Sequence, residues 1–329
     1  MVRTAHLTYA YRVKQSIKIM TLTNIRFPED NPFSRIKIRH IFGWYLLLGI
    51  GIYLQIFTLG YRLGIKFDSK TPLDPLGSAI FGTYLSILIL ALVWRQCRLA
   101  GIEIKYLVGK VPERYQWLPL VGLAIASVVF TISVFRVFYY PLSFVVPSFV
   151  EQILTKNREN SILIEASKTF NPGFYYLMFA LNIFVISPLF GNFIFLAVLH
   201  RLGFKWGNIP SIVAWCLLYM ILGYNSFISA TVSLLIYIIL YLKTRSLLVI
   251  VVFNVLRSII FTIWNLSYTT FFDDRTANIL DVFRSQIQLG VLFFALSAPW
   301  VIGFIYKNWS AIKGPLPYFA NAAEAEKIK

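Results

Sequence analysis

The amino-acid sequence has few of the residues that build most catalytic and metal sites. Of its 329 residues, only three are histidine, two are cysteine and 14 are aspartate or glutamate. The histidines, His6, His40 and His200, all lie outside the long apolar runs. Cys97 and Cys216 are far apart and form no Cys-x-x-Cys pair, so the sequence indicates neither a disulfide framework nor a zinc knuckle.

Charged residues are also scarce. They make up 14% of the chain, against about 25% in a soluble domain. The chain is 58% hydrophobic, with a mean hydropathy of +0.68. This composition is typical of a polytopic membrane protein. The 31 basic residues give a net charge of +17. In a membrane protein such an excess indicates basic cytoplasmic loops, so nucleic acid is not expected as a partner.

Long apolar runs predict an all-α fold, a bundle of about eight transmembrane helices. The runs hold 14 to 26 mostly apolar residues, where a span needs about 20. No aspartate or glutamate lies within any of them. The predicted spans are Ile41–Leu63, Leu76–Trp94, Trp117–Tyr140, Phe174–Leu199, Ile209–Leu222, Phe227–Leu242, Leu247–Leu266 and Ile287–Tyr306.

Loop charges predict the orientation. Basic residues dominate the segment 1–40, alternate loops and the tail 307–329, whereas acidic residues balance the other loops. By the positive-inside rule, residues 1–40 form a basic cytoplasmic segment, residues 41–306 the transmembrane domain and residues 307–329 a cytoplasmic tail. The membrane is either a plasma or inner membrane or a thylakoid.

The outer side is expected to carry a long loop over residues 141–173, beginning at Pro141, in which Glu151–Phe170 could form a surface helix. Arg136 lies near the outer end of the third span, and its side chain is expected to extend to the interface.

Three segments within the predicted spans carry residues at fixed spacing. Pro188 is followed by Gly191, Asn192 and Leu196; Gly223 ends the stretch that begins at Tyr219; and Asn254 precedes Ser258 by four residues. Between the last two segments runs Thr244-Arg245-Ser246-Leu247, four residues after Leu240.

The order and spacing of these segments, over about residues 174–258, resemble the CPBP family of intramembrane proteases (CAAX prenyl protease and bacteriocin-processing, also called Abi). That family carries Glu-Glu-x-x-x-Arg, Phe-x-x-x-His and His-x-x-x-Asn/Asp, and a turn reading Thr-Gly-Ser-Leu. On the resemblance, all six polar positions are replaced. Gly191 and Asn192 stand for the glutamates, Leu196 for the arginine, Gly223 and Asn254 for the histidines, and Ser258 for the final Asn/Asp. Arg245 stands for the glycine of the turn.

The remaining residues offer no catalytic chemistry. A general base or a metal site needs converging His, Asp, Glu or Cys side chains, and the spans hold none that converge. Neither a catalytic residue nor a metal or other cofactor is therefore expected. Four polar residues, Asn182, Asn192, Asn254 and Arg257, define a possible residual polar cavity. The simpler alternative is that such side chains hold the helices together by hydrogen bonds.

These observations favour a non-catalytic, CPBP-like membrane protein, a pseudoenzyme that serves as scaffold, assembly factor or subunit of a membrane complex. Its expected partners are the lipid bilayer and other membrane proteins. One alternative is a transporter or channel component that uses the polar cavity as its path. Another is a divergent CPBP-type endopeptidase.

Overall fold

The computed structural model describes residues 32–36, 38–62, 75–159, 161–186, 188–189, 210, 213, 227–271 and 278–327. Over these residues the chain is helical and contains no strand. Short 3-10 turns lie at Pro32–Arg35 and Trp309–Lys313. The α-helices are α1 (Ile38–Arg62), α2 (Pro75–Leu99), α3 (Ile104–Val108), α4 (Trp117–Val145), α5 (Pro147–Glu159), α6 (Ile162–Ser167), α7 (Pro172–Leu181), α8 (Phe227–Thr244), α9 (Leu247–Phe271), α10 (Ile279–Ser285), α11 (Ile287–Lys307) and α12 (Pro317–Lys327).

Four helical segments in this part of the chain are long and apolar enough to cross a membrane. They are α2, α4, α9 over Leu247–Tyr268, and the segment Ile287–Lys313 that contains α11. Shorter apolar stretches lie in α1, in α8 and over Pro172–Ile186. The all-α fold is thus confirmed for the described residues, and the four spans agree with an integral membrane protein. The predicted fifth span, 209–222, lies almost wholly outside the described residues.

Helix α8 lies at the centre of the packing. Ile236 is fully buried in a cluster with α4, α9 and α11 residues such as Leu120, Phe253 and Val301. Ile238 and Ile239, also fully buried, belong to a second cluster with α1, α2, α3 and α12. A helix that is apolar on all sides is stable only where neighbours surround it. The two clusters therefore meet at α8.

The segment that was predicted to form a long outer loop differs from the sequence-based expectation. Pro141 does not begin a loop, because α4 continues through it to Val145. A proline removes only one helical hydrogen bond, and transmembrane helices tolerate that loss where neighbours satisfy the freed group. The expected surface helix is present as two helices, α5 and α6. The end of α4 is fixed by Arg284, whose Nε donates to Ser143 Oγ at 3.2 Å.

The end of the bundle that holds the turn between α8 and α9 is closed by the C-terminal helix. Asn321 of α12 donates from Nδ2 to the backbone oxygens of Tyr106, at 2.8 Å, and Arg245, at 3.0 Å. Gly109 lies under the same turn, and a Cβ there would stand 1.9 Å from the Arg245 oxygen. Only glycine permits this approach. Arg245 itself has a φ of +53°, in the left-handed region that glycine favours.

The left-handed turn between α8 and α9 predicts an order of stability among variants of Arg245. Arg245→Gly and Arg245→Ala both remove the exposed ion pair with Glu324, which contributes at most about 1 kcal/mol. Glycine also removes the backbone strain of the left-handed conformation, whereas alanine does not. We expect Arg245→Gly to have a free energy of unfolding about 1 kcal/mol above that of Arg245→Ala in mixed micelles. An alanine variant equal to or more stable than the glycine variant would contradict the strained turn.

Candidate functional site

The structure describes only part of the sequence-based site. Gly191, Asn192, Leu196 and Gly223 lie outside the described residues, as does His200. Asn254 and Ser258 lie on α9, one helical turn apart, and both are half-buried. Arg257 is half-buried on the same helix.

A hydrogen-bonded chain joins α8 to α9. The Tyr237 hydroxyl donates to Asn254 Oδ1 at 2.8 Å, and Arg257 Nη1 donates to the Tyr237 hydroxyl at 3.5 Å. Asn254 and Arg257 are three residues apart, so both side chains can meet one residue of the neighbouring helix. The structure therefore brings two of the predicted cavity residues together through Tyr237. We call Tyr237, Asn254 and Arg257 the polar cluster.

The guanidinium of Arg257 is only partly satisfied. It lies about 15 Å along α9 from its first residue, near the middle of the apolar segment Leu247–Tyr268. Its Nε atom is buried and has no hydrogen-bond partner among the described residues. A buried donor left without an acceptor costs about 1–3 kcal/mol, and more when it is charged. The polar cluster therefore has a hydrogen-bond donor without an acceptor, and a further acceptor would stabilise it.

Asn182 joins a different pair of helices. It begins a π-helical turn, Asn182–Ile186, that follows α7. Its Nδ2 donates to Thr83 Oγ1 on α2 at 3.1 Å, beside Gly82. No hydrogen bond in the described part of the chain joins it to the polar cluster. The π-helical turn ends two residues before Pro188, whose ring disfavours regular α-helix in the residues before it.

Arg136 is buried rather than extended to the interface. Only 8% of the residue is exposed, and the guanidinium lies over the Tyr268 ring, 5.2 Å from its centroid. The Tyr268 hydroxyl in turn donates to Gln286 Oε1 at 3.0 Å. Gly290 makes room for the arginine, since a Cβ there would stand 3.0 Å from Arg136 Cβ. The expectation failed because close packing of α4, α9 and α11 covers the residue on every side.

These arrangements can bind acceptors and hold helices together. Among the described residues, no group of three or more His, Cys, Asp or Glu could hold a metal ion. The polar cluster offers a phenol, an amide and a cation, which together bind carbonyl, carboxylate or phosphate oxygens. It holds neither a nucleophile paired with a base nor two carboxylates.

Comparisons with known proteins leave the family open. No family model, curated protein or solved structure matches this chain. The resemblance to the CPBP family therefore rests on the sequence and stays a prediction.

Sequence reasoning missed Tyr237 and Thr83. Tyr237 had a usable signal, because a tyrosine in the middle of an apolar run needs a partner for its hydroxyl. It also lies four residues before Tyr241, whose hydroxyl donates to the Leu107 oxygen at 2.9 Å. Thr83 had no such signal, since a threonine hydroxyl in a helix often bonds the backbone of the preceding turn.

Removing one hydroxyl should weaken the polar cluster measurably. In Tyr237→Phe, Asn254 loses its donor and Arg257 its acceptor, so we expect the free energy of unfolding to fall by about 1–2 kcal/mol. The matched control is Tyr84→Phe on α2, where the side chain is half exposed and the expected change is below about 0.5 kcal/mol. The measurement is unfolding in mixed micelles. Equal effects of the two substitutions would contradict a bonded cluster.

Proposed function

We propose that this chain is a non-catalytic integral membrane protein of about eight spans that acts as a scaffold, assembly factor or subunit of a membrane complex. Its termini lie on the cytoplasmic side, and its core over about residues 174–258 is CPBP-like. The observation that carries the proposal is Arg257, a membrane-embedded cation with an unsatisfied buried donor.

The described helices follow the order of the predicted spans, and four of them are long and apolar enough to cross a membrane. Seven of the eight predicted spans coincide, at least in part, with a helix: α1, α2, α4, α7, α8, α9 and α11. The basic residues Arg98, Lys243 and Lys307 lie in the last turns of α2, α8 and α11. These are the ends that the loop charges assign to the cytoplasm.

One local feature is consistent with the CPBP-like frame. Arg245 takes a positive φ at the position where the family turn carries glycine. This is a backbone feature, so it concerns ancestry and shape rather than chemistry.

The polar cluster supports a protein partner. A guanidinium at mid-membrane depth is stable only with acceptors around it, and the predicted spans contain no carboxylate. Because Arg257 is only half-buried, an acidic or carbonyl group on a neighbouring membrane helix would pair with the exposed part of its side chain. The proposed partner therefore contributes an acceptor at this depth.

Cysteine accessibility tests the topology. In a chain whose native Cys97 and Cys216 are replaced by alanine, single cysteines are placed at Lys156, Lys205 and Asn225. Eight spans with cytoplasmic termini place positions 156 and 225 outside and position 205 inside. We expect a membrane-impermeant maleimide to label Lys156→Cys and Asn225→Cys in intact cells, and Lys205→Cys only after permeabilisation. Protection of Asn225→Cys before permeabilisation would refute the predicted fifth and sixth spans.

Partner capture tests the role of Arg257. Affinity purification of the full chain from its native membrane, in mild detergent, should recover a stoichiometric membrane protein. Arg257→Met should lose that partner while the isolated chain keeps, or gains about 1 kcal/mol of, stability, because an uncompensated buried cation is removed. Recovery of the partner and stability of the chain would then change in opposite directions.

Two controls make this result specific. Arg98→Gln removes a positive charge at the exposed end of α2 and should leave recovery unchanged. Arg257→Lys keeps a cation and should restore part of it. Equal recovery with Arg257→Met, or a strongly destabilised isolated chain, would show that Arg257 is satisfied within the protein.

A further inference from the structure

An open groove of about 870 Å³ lies at the inner end of the bundle. Its walls come from the start of α4 and the ends of α8 and α11, so it lies at the level where these helices leave the membrane. One end is charged and the other is apolar. We call it the basic groove.

Three cations mark its charged end, namely Arg114, Lys243 and Lys307, and no carboxylate lines it. Lys243 is held by a neutral acceptor, since its Nζ donates to Asn308 Oδ1 at 2.8 Å. None of the three forms an ion pair with a carboxylate of the described chain. Their charge is therefore available to an anion.

The other end extends into the apolar part of the bundle. Leu123 and Pro299 line it, each about 9–12 Å along its helix from the charged end. Gly303 opens the wall, because a Cβ there would meet no atom within 4 Å. Trp300 lines the groove and is 70% exposed. Tryptophan is enriched at the boundary between hydrocarbon and headgroups.

We propose that the basic groove binds one anionic phospholipid of the surrounding bilayer, with the phosphate at Arg114, Lys243 and Lys307 and an acyl chain along Leu123 and Gly303. The argument is complementarity at both ends. Cations without carboxylates match a phosphate, and an adjoining apolar channel matches a hydrocarbon chain. A free phosphate would match only the three cations, and an apolar helix would match only the apolar channel. The proposal rests on the membrane-spanning part of the proposed function and is independent of the protein partner.

Native mass spectrometry of the full chain, released from detergent and titrated with phosphatidylglycerol or phosphatidylcholine, tests the site. We expect the first phosphatidylglycerol to bind at least about tenfold more tightly than phosphatidylcholine, since each basic residue near the surface strengthens association about fivefold. Arg114→Gln, Lys243→Gln and Lys307→Gln combined should abolish this preference. The control combines Arg95→Gln, Arg98→Gln and Lys313→Gln, exposed cations outside the groove, and should retain it.

A second pair of variants tests the apolar end. Gly303→Leu should fill the groove and remove most phosphatidylglycerol binding, whereas Gly122→Leu, on α4 with equally open surroundings, should not. Similar affinities for the two lipids, or binding that survives Gly303→Leu, would overturn the proposal. Displacement by inorganic phosphate would assign the site to a soluble anion. A polypeptide that stays bound to the chain and is lost when the three cations are substituted would assign the groove to a protein partner. Failure of the chain to remain with vesicles after an alkaline wash would instead refute membrane integration.

Discussion

The absence of water in the hydrocarbon core is the constraint on which this structure depends, because every polar group there needs a partner within the protein. Helices satisfy the backbone. Most hydroxyls bond to their own helix: Ser127 Oγ donates to the Ala124 oxygen at 2.8 Å, and Ser133 Oγ to the Phe130 oxygen at 2.9 Å. Such hydrogen bonds hardly disturb the packing of neighbouring helices. They let α4 bury polar residues against α9 and α11 without any matching polar group on those helices.

Arginine side chains cannot satisfy their charge by a bond to their own helix, so they determine which helices must contact each other. Arg136 is covered by the Tyr268 ring and packs closely against Gly290, so it ties α4 to α9 and α11. Arg257 reaches Tyr237 and so ties α9 to α8 near the middle. Each arginine leaves one buried donor without an acceptor among the described residues, Nη1 in Arg136 and Nε in Arg257. They differ in that Arg136 is stacked on the Tyr268 ring, whereas Arg257 donates to the Tyr237 hydroxyl.

Helix positions were predictable from the sequence because hydrocarbon thickness fixes the length of an apolar run. The predicted starts of the spans in α2, α4, α9 and α11 fall within one residue of the helices, at Pro75, Trp117, Leu247 and Ile287. Side-chain partners were not predictable in the same way. Asn254 and Arg257 share a helix face by spacing alone, but their meeting point, Tyr237, depends on the rotation of α8. The extension of α4 through Pro141 depends likewise on packing against α10.

Helix α8 contributes to both proposed binding sites. Only residues on other helices can therefore be substituted so that one site changes and the other does not. It supplies Tyr237 to the polar cluster, and Leu240 and Lys243 to the basic groove, all within two helical turns. A shift or rotation of α8 would therefore change both sites at once. Arg257 on α9 and Gly303 on α11 each belong to one site only. A partner that binds Arg257 and a lipid that fills the groove would therefore both depend on the position of the same helix. The anionic lipid is thus expected to stabilise the arrangement of α8 that presents the polar cluster, since both sites need the same helix position.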